Sequence, residues 1–448
     1  MSTGTRIPLS PAFLHHPKPA TRRFFVSRAA AASSPAFVSL FTIRQESLTA
    51  MAKRRVLLFL ILAALTLSPI IPALHTSRAQ GENPTECLTS YDAAVDYFPE
   101  KATVEYATGF SVEYANSYKL VTVSKPWQGA ESAFRYALLQ CGAPAPTDLP
   151  EGTTIIEVPI KRLISMSSTY LPPLVDLGVV ETLVGVDSLA FAYAPEVIAA
   201  GKAGTITEVG SGPTLDLEKI AVLDPDVIMT FGSGSADYDS HPKLIQAGFP
   251  TVLNGDFIEP TPLGRAEWIK FIALFYNQEG AAAAYFDDVA TEYNRLKVLA
   301  EGAAEKPLVL FNTPYEGTWY IPGGASFTNT LLEDAGGRSP WADDATTGTL
   351  FLSLEVVFEK AANADVWLNP GFVFSLQDIT AVDSRLAEFA PFASGKAYNY
   401  TGRTGENGAI DFFESGVTRP DLILADWISI LHPDLLPDHT LYYYVQLK

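Results

Sequence analysis

The sequence is poor in the residues on which several classes of protein depend. Its 448 residues include only 2 cysteines, which excludes a disulfide-rich scaffold. Basic residues number 31 against 50 acidic ones, and the net charge of −19 argues against a general nucleic-acid binder. Hydrophobic residues make up 48% of the chain, enough to bury sizeable cores, so disorder is excluded for most of it. The composition therefore describes a large, acidic, folded body.

The sequence also lacks the motifs of common catalytic centres. There is no G-x-S-x-G, no Walker loop, no Cys-x-x-Cys and no H-E-x-x-H. Only three histidines follow residue 79, namely His241, His432 and His439, and nothing in their spacing suggests convergence on zinc. We therefore predict no catalytic residues, no metal site and no cofactor, and we expect that the protein is not an enzyme.

The distribution of charge divides the chain into a basic N-terminal targeting segment and an acidic body. Residues 1–79 hold ten basic residues and one acid, which leaves 21 basic and 49 acidic residues, a net charge of −28, for 80–448. Met51 opens a basic segment, an apolar run follows over 56–67, and small residues precede a possible cleavage site after Ala79. The run is short for the roughly 20 residues of a membrane span. We predict an upstream extension over 1–50 and a signal peptide over 51–79, with a retained anchor as the alternative.

Export would place the two cysteines, Cys87 and Cys141, in an oxidising compartment. In the periplasm or at the cell surface two thiols can pair, so we predict a disulfide that clamps the N-terminal region. Two buried free thiols are the alternative. No cysteine directly follows the apolar run, so a bacterial lipoprotein anchor is not predicted.

The body is predicted to contain an N-terminal addition and two α/β lobes. Over 80–150 we expect strands at 103–106, 111–114 and 119–123 and a short helix at 131–139. Alternating strands and helices then predict a first α/β lobe over 151–263, beginning with a strand at 154–158, and a second over 303–448. Between them, 264–302 shows helical spacing and predicts one linking helix about 50 Å long, which Gly280 could interrupt.

Aromatic and polar residues follow several predicted strands, where open α/β sheets bind their ligands. We predict a ligand site that contains hydroxyls at the end of one strand, an arginine that could hold an anionic group, and aromatic faces: Ser167, Ser168, Thr169, Arg403, Phe191, Phe231, Tyr315, Trp319, Tyr320 and Phe372. Core packing is the alternative for the aromatic residues, a helix N-cap for the hydroxyls and a solvated surface position for Arg403.

Three groups of motifs resemble substrate-binding proteins of iron-siderophore and vitamin B12 ABC importers. They are, in the first lobe, 209–210, 217–220 and 224–228; in the second, 321–327, 335–337, 354–355 and 364–366; and near the end, 419–422 with 432–433. The resemblance covers about 150–440, whereas 87–150 departs from shorter members of the family. It implies two Rossmann-like lobes joined by a long helix, small hinge motion and a ligand held between the lobes.

The resemblance also implies a partner, an importer permease in the membrane. In the vitamin B12-binding protein one glutamate of each lobe docks onto permease arginines, and the motifs align these with Glu218 and Glu355. Each lies two residues after a predicted N-cap, Asp216 or Ser353, where a carboxylate also stabilises the helix dipole. Both roles are compatible.

The sequence therefore predicts a monomeric extracytoplasmic binding protein that delivers a ferric siderophore, or a similar Fe(III) complex, to an ABC importer. A cobalamin or haem binder of the same family is the first alternative. A secreted α/β hydrolase or metal enzyme is the alternative from another class. A cell-surface adhesion role for 87–150 is a third possibility.

Overall fold

The computed structural model of the protein describes residues 81–235 and 237–448. The predicted upstream extension and signal peptide therefore lie outside the described residues. Residues 80–448 form one unit of the chain. The unit contains an added sheet, a first lobe, a linking segment and a second lobe, which are described in that order.

The N-terminal addition is a four-stranded sheet. Its strands are β1 (Phe110–Tyr114), β2 (Tyr118–Val123), β3 (Phe134–Gln140) and β4 (Thr154–Val158), hydrogen-bonded in that order. Neighbours are antiparallel except β3 and β4, which are parallel. The strands predicted at 111–114 and 119–123 are confirmed, whereas 103–106 forms no strand.

Two predictions for this region are wrong. The segment 131–139 contains strand β3 and no helix, because it pairs with β2 on one side and β4 on the other. Strand β4 was predicted to open the first lobe, but it hydrogen-bonds only to the added sheet. The N-terminal addition therefore extends through Val158, and the first lobe begins after it.

The first lobe is a parallel sheet covered by short helices. Its strands are β5 (Leu163–Ser165), β6 (Leu183–Val186), β7 (Thr207–Glu208), β8 (Val227–Thr230) and β9 (Thr251–Leu253), in the spatial order β7-β6-β5-β8-β9. The helices are α1 (Leu171–Asp176), α2 (Pro195–Ala203), α3 (Leu217–Leu223) and α4 (His241–Gln246). All neighbouring strands are parallel, as the alternating pattern predicts.

The linking segment contains three helices: α5 (Pro262–Ala266), α6 (Trp268–Ala273) and α7 (Glu279–Glu301). The prediction of one helix over 264–302 is therefore wrong. The break lies at Asn277, which has a left-handed backbone with φ of 58°, a conformation that asparagine tolerates better than most residues. Gly280 is instead the second residue of α7. Helix α7 has 23 residues and is about 35 Å long.

The second lobe contains two sheets. Strands β10 (Val309–Phe311), β14 (Val366–Leu368) and β15 (Ala397–Asn399) are parallel, and β16 (Val445–Gln446) adds an antiparallel edge. The smaller antiparallel sheet contains β11 (Pro314–Tyr315), β12 (Thr318–Pro322) and β13 (Thr349–Leu352). The helices are α8 (Phe327–Asp334), α9 (Leu354–Ala361), α10 (Leu376–Val382), α11 (Ala390–Ala393) and α12 (Pro420–Leu431).

One hydrophobic core connects these parts. It contains Val121 of the added sheet, Leu163 of the first lobe, Phe286 of α7, and Leu331 and Trp427 of the second lobe. The linking helices thus pack between the lobes and do not cross open solvent. The predicted α/β class, with parallel-sheet lobes and an added β segment, is confirmed.

Candidate functional site

The carboxyl ends of the two parallel sheets meet. The loop after β6 contacts the segment after β15, where the Glu414 carboxylate accepts hydrogen bonds from the backbone N–H of Tyr193 and of Ala194, both at 2.7 Å. The Asn407 side-chain amide donates to the carbonyl of Ala192 at 2.8 Å. Ligands of open α/β sheets bind at these strand ends. The arrangement therefore places a candidate ligand cleft between the lobes.

Arg403 lies at this contact, in the turn after β15. Its guanidinium lies over the rings of Tyr193, at 5.5 Å, and Tyr442, at 4.3 Å. Its Nε donates to the buried carboxylate of Asp411 at 2.6 Å. The structure thus places Arg403 between the lobes, as expected of a cleft residue, but most of its charge is already balanced by Asp411. The remaining N–H groups of the guanidinium are those that could reach a ligand.

Several predicted aromatic residues are exposed in loops at these ends. Phe191 follows β6 and is 44% exposed, Tyr315 lies on the hairpin after β10 and is 47% exposed, and Phe372 follows β14 and is 60% exposed. Phe231 follows β8 and is half-buried. Phe374, also after β14, is 58% exposed. Exposed aromatic faces of this kind are typical of a site for a large, partly apolar ligand.

Two predicted site residues do not belong to this group. Trp319 is completely buried, stacks on Trp367 and donates from Nε1 to the carbonyl of Phe311, so it is a core residue of the second lobe. The prediction that Trp319 contacts ligand is therefore wrong. Tyr320, on β12, is half-buried and packs edge-on against Phe351 within the smaller sheet.

The predicted hydroxyls follow β5 in a single turn. The Ser167 hydroxyl accepts from the backbone N–H of Thr169 and lies 2.9 Å from the Thr169 hydroxyl, so Ser167 acts as the N-cap. Ser168 and Thr169 are half-buried. Thr169 also lines a cavity of about 10 Å³ beside Asn254 and Thr418. Such a volume is at the lower limit for one water molecule, so this part of the cleft is closely packed.

An arginine that the sequence analysis missed lies beside the end of β9 and reaches the second lobe. Arg265 of α5 forms an ion pair of 3.1 Å with Asp256, which follows β9, and its guanidinium lies 5.9 Å from the ring of Phe327 in the second lobe. Burial raises the pKa of Asp256, whereas Arg265 opposes the shift. The position of Asp256 after a parallel strand could have identified it. Arg265 follows no strand, and no pattern singled it out.

Burial perturbs two further carboxyl groups near the contact between the lobes. It raises the pKa of Glu414 to about 7, although the hydrogen bonds from Tyr193 and Ala194 act in the opposite direction. It also raises the pKa of Asp187, directly after β6, to about 6. Glu414 is the group of the two whose hydrogen bonds join the lobes, so its protonation would change this contact.

Glu218 and Glu355 occupy equivalent places in the two lobes. Each is the second residue of a helix, α3 or α9, whose N-cap side chain accepts a backbone hydrogen bond: Asp216 from Lys219, and Ser353 from Val356. The predicted caps are thus confirmed. Both glutamates are exposed, and Glu355 lies 3.5 Å from Arg385 at the surface.

Comparison with known proteins agrees with this architecture. Residues 163–380 match the family described as "Periplasmic binding protein". Two proteins of Methanocaldococcus jannaschii described as uncharacterized lipoproteins are 26% and 27% identical over 307 and 330 residues. These alignments cover 66% and 70% of this chain and 71% and 80% of the relatives. A periplasmic binding protein of Veillonella parvula aligns with a TM-score of 0.50 and 13% identity, over 72% of this chain and 98% of its own.

The matched residues span the first lobe, the linking helices and much of the second lobe, and this part of the chain is similar to the periplasmic binding protein family. The resemblance found in the sequence motifs is therefore confirmed. Members of this family bind small-molecule solutes and act with ABC importer permeases.

Proposed function

We propose that the protein binds a ferric siderophore, or a similar iron complex, between its lobes and delivers it to an ABC importer. The observation that carries the proposal is that the strand carboxyl ends of both lobes meet, with exposed Phe191, Tyr315 and Phe372 in the loops there. A large chelate with conjugated groups can stack on such rings. The iron is cargo within its chelator, so the protein needs no metal ligands of its own. Among residues 81–235 and 237–448 no cluster of side chains suited to a metal ion is found.

A cobalamin or haem ligand is the second candidate. The same exposed rings suit the planar face of a corrin or porphyrin as well as they suit a catecholate chelate. The ligands share a large conjugated surface and differ in their visible absorption. The absorption spectrum therefore separates them.

Delivery is proposed to use Glu218 and Glu355. Both are exposed, one lies on each lobe, and each is in the first turn of a capped helix, where the backbone holds it in a fixed place. A pair of fixed carboxylates on the two lobes could bind two arginine clusters of a permease at once.

An extracytoplasmic location is part of the proposal. Cys87 and Cys141 form a disulfide, which agrees with an oxidising compartment, and the family and the lipoprotein relatives support the same location. In the part of the chain that the structure describes, no helix has the length and apolar character of a membrane span.

The first experiment identifies the bound molecule. The protein is purified from its own host without denaturation and analysed by native mass spectrometry and visible absorption. We expect a bound species with the mass and charge-transfer band of an iron chelate. A corrin or Soret spectrum would select the second candidate. Turnover of ester, peptide or glycoside test substrates, with no bound chromophore, would favour a secreted hydrolase and contradict the proposal.

The second experiment tests delivery. The double variant Glu218→Ala, Glu355→Ala should bind the chelate with unchanged affinity and lose most uptake of radioactive iron by cells that depend on this protein. The matched control, Glu301→Ala with Glu359→Ala, removes the same charge from exposed helical positions and should transport normally. Normal uptake by the first variant would contradict the docking role.

A further inference from the structure

The added sheet brings a tryptophan to the ligand-binding edge of the first lobe. Trp127 lies in the loop between β2 and β3. A side chain at Gly232 would place its Cβ 2.4 Å from the indole of Trp127, and one at Gly234 would place it 3.1 Å away. Both glycines lie in the loop that follows β8. The indole therefore lies on the backbone at the carboxyl end of that strand.

The same loop also reaches the next strand end. A Cβ at Gly255, which follows β9, would lie 2.5 Å from the carbonyl oxygen of Lys125. Two glycines at β8 and one at β9 thus allow residues 125–127 of the added sheet to contact both turns. Their lack of side chains is a local requirement for this close approach.

Two neighbouring rings hold the indole in place. Its ring stacks on His241 at 5.3 Å, and the edge of Phe134 lies 6.0 Å away. The turn beneath it is fixed by the buried carboxylate of Asp239, which accepts hydrogen bonds from the N–H of Ser233 and of Gly234 at 2.7 and 3.0 Å. Trp127 is therefore a pre-positioned aromatic surface.

Trp127 also differs from the other tryptophans in its exposure. The chain has 6 tryptophans, and Trp127 is half-buried. The other five are buried: Trp268, Trp319, Trp341, Trp367 and Trp427. Trp127 is therefore the tryptophan of the described residues that is not buried in a core.

The strand order shows what lies beside it. Strand β8 is the direct neighbour of β5, whose end carries Ser167 and Thr169. Neighbouring strands are about 4.8 Å apart. The strand end that the indole contacts is thus the direct neighbour of the strand end that carries the predicted ligand hydroxyls.

We propose that Trp127 is a ligand-contacting and specificity-determining residue, and that the loop of the added sheet forms a third wall of the cleft. The indole face would stack on a conjugated part of the ligand, so the wall would favour chelates that carry catechol, corrin or porphyrin groups over purely aliphatic ones. This inference rests on the proposed function.

The experiment measures affinity for three probes: a ferric tris-catecholate, cyanocobalamin and hemin, each titrated against ligand-free wild-type protein. For the probe that binds, Trp127→Leu should raise the dissociation constant about 2- to 10-fold, because aromatic stacking is lost. The leucine side chain still packs against the glycines, so the loop should keep its place. Trp127→Phe keeps an aromatic face and should stay within about twofold of wild type. Tyr91→Ala is the control, since Tyr91 is 39% exposed on the same addition and stacks on Tyr97.

The outcomes separate the two claims. Weaker binding by Trp127→Leu, with the melting temperature of wild type and with near-normal binding by Trp127→Phe and Tyr91→Ala, supports the inference. Equal binding by Trp127→Leu and wild type overturns it and leaves the proposed function standing. Wild-type protein that binds none of the three probes contradicts the inference, and the proposed function is then decided by the ligand that native mass spectrometry identifies.

Discussion

Buried carboxylates fix the added sheet to the linking helices. The Glu267 side chain is completely buried and accepts hydrogen bonds from three successive backbone N–H groups, of Glu105, Tyr106 and Ala107, at 2.7 to 3.1 Å. It also pairs with Lys270 at 2.8 Å. One side chain thus replaces the hydrogen-bond partners that a neighbouring strand would give to this segment.

Removal of this carboxylate should be severe. Glu267→Ala leaves three backbone donors without their acceptor and the buried Lys270 ammonium without its carboxylate partner, so we expect a loss of about 3–5 kcal/mol in the free energy of unfolding. Urea denaturation measures it. Glu301→Ala, on the exposed end of α7, should change stability by less than about 0.5 kcal/mol. Equal effects of the two changes would contradict the assigned role.

The raised pKa of Glu414 predicts that the stability of the protein depends on pH. Because burial raises its pKa in the folded protein to about 7, the folded state binds a proton that the unfolded state releases above about pH 4.5. Stability from this group is therefore complete below pH 4.5 and is lost as pH rises through 7, by roughly 3 kcal/mol. Unfolding curves of wild type and Glu414→Gln between pH 4.5 and 7.5 should diverge in slope. Parallel curves would show that the group titrates normally.

At the residue scale, the sequence predicted where a site residue lies in the fold better than it predicted whether the side chain is exposed. Arg403 does lie between the lobes, but its pairing with Asp411 depends on a turn of the chain eight residues later. Trp319 alternates correctly along β12, yet the face that it occupies is the buried one. Alternation along a strand separates its residues into two sides. When both sides carry aromatic residues, the pattern does not indicate which side packs against the core.

At the scale of elements, the disulfide closes the added sheet. Cys87 and Cys141 are 54 residues apart in sequence, and closure of a loop of that size restricts the unfolded chain. Replacement of both by serine should lower the free energy of unfolding by about 3–4 kcal/mol, measured by urea denaturation. Because Cys141 follows the end of β3 opposite to the loop of Trp127, ligand affinity should be unchanged. A stability equal to that of wild type would contradict the clamp.

The linking segment shows why helix length was overestimated. Hydrophobic spacing continues across 274–278, so periodicity alone predicts one helix. The break is caused by partners far away in sequence: the Asn277 amide donates to the carbonyl of Pro84 and to Gln140, and its oxygen accepts from the buried Lys119. All three partners belong to the N-terminal addition, and Lys119 and Gln140 lie on strands of its sheet. The same sheet explains the error at β3, where tertiary pairing overrides local helical tendency.

At the scale of the whole molecule, the fold was largely predictable and the site only in part. Alternating strands and helices, together with the family motifs, predicted two lobes and a ligand between them. The contact of the added sheet with the strand ends of the first lobe was not predicted, because Trp127 meets Gly232 and Gly234 only through the tertiary fold. Periodic patterns in the sequence predict the helices and strands of the lobes. Contacts between segments that are distant in sequence produce no such pattern.

The shared core limits how far the lobes can open. Leu163, Phe286 and Trp427 belong to one hydrophobic cluster that crosses both lobes and α7. We expect ligand binding to change the radius of gyration by less than about 1 Å, because a larger opening would expose this core to water. Small-angle scattering with and without the bound chelate measures the change. A change of several ångströms would show that the lobes move as independent bodies.

The most direct test of the account is a crystal structure of the protein with the ligand that it carries from its host, with anomalous data at the iron absorption edge. We predict an iron peak between the carboxyl ends of β5 and β8 on one side and of β10 and β14 on the other, with aromatic rings of both lobes around the chelate. A peak elsewhere on the surface, or a ligand held by one lobe alone, would contradict it.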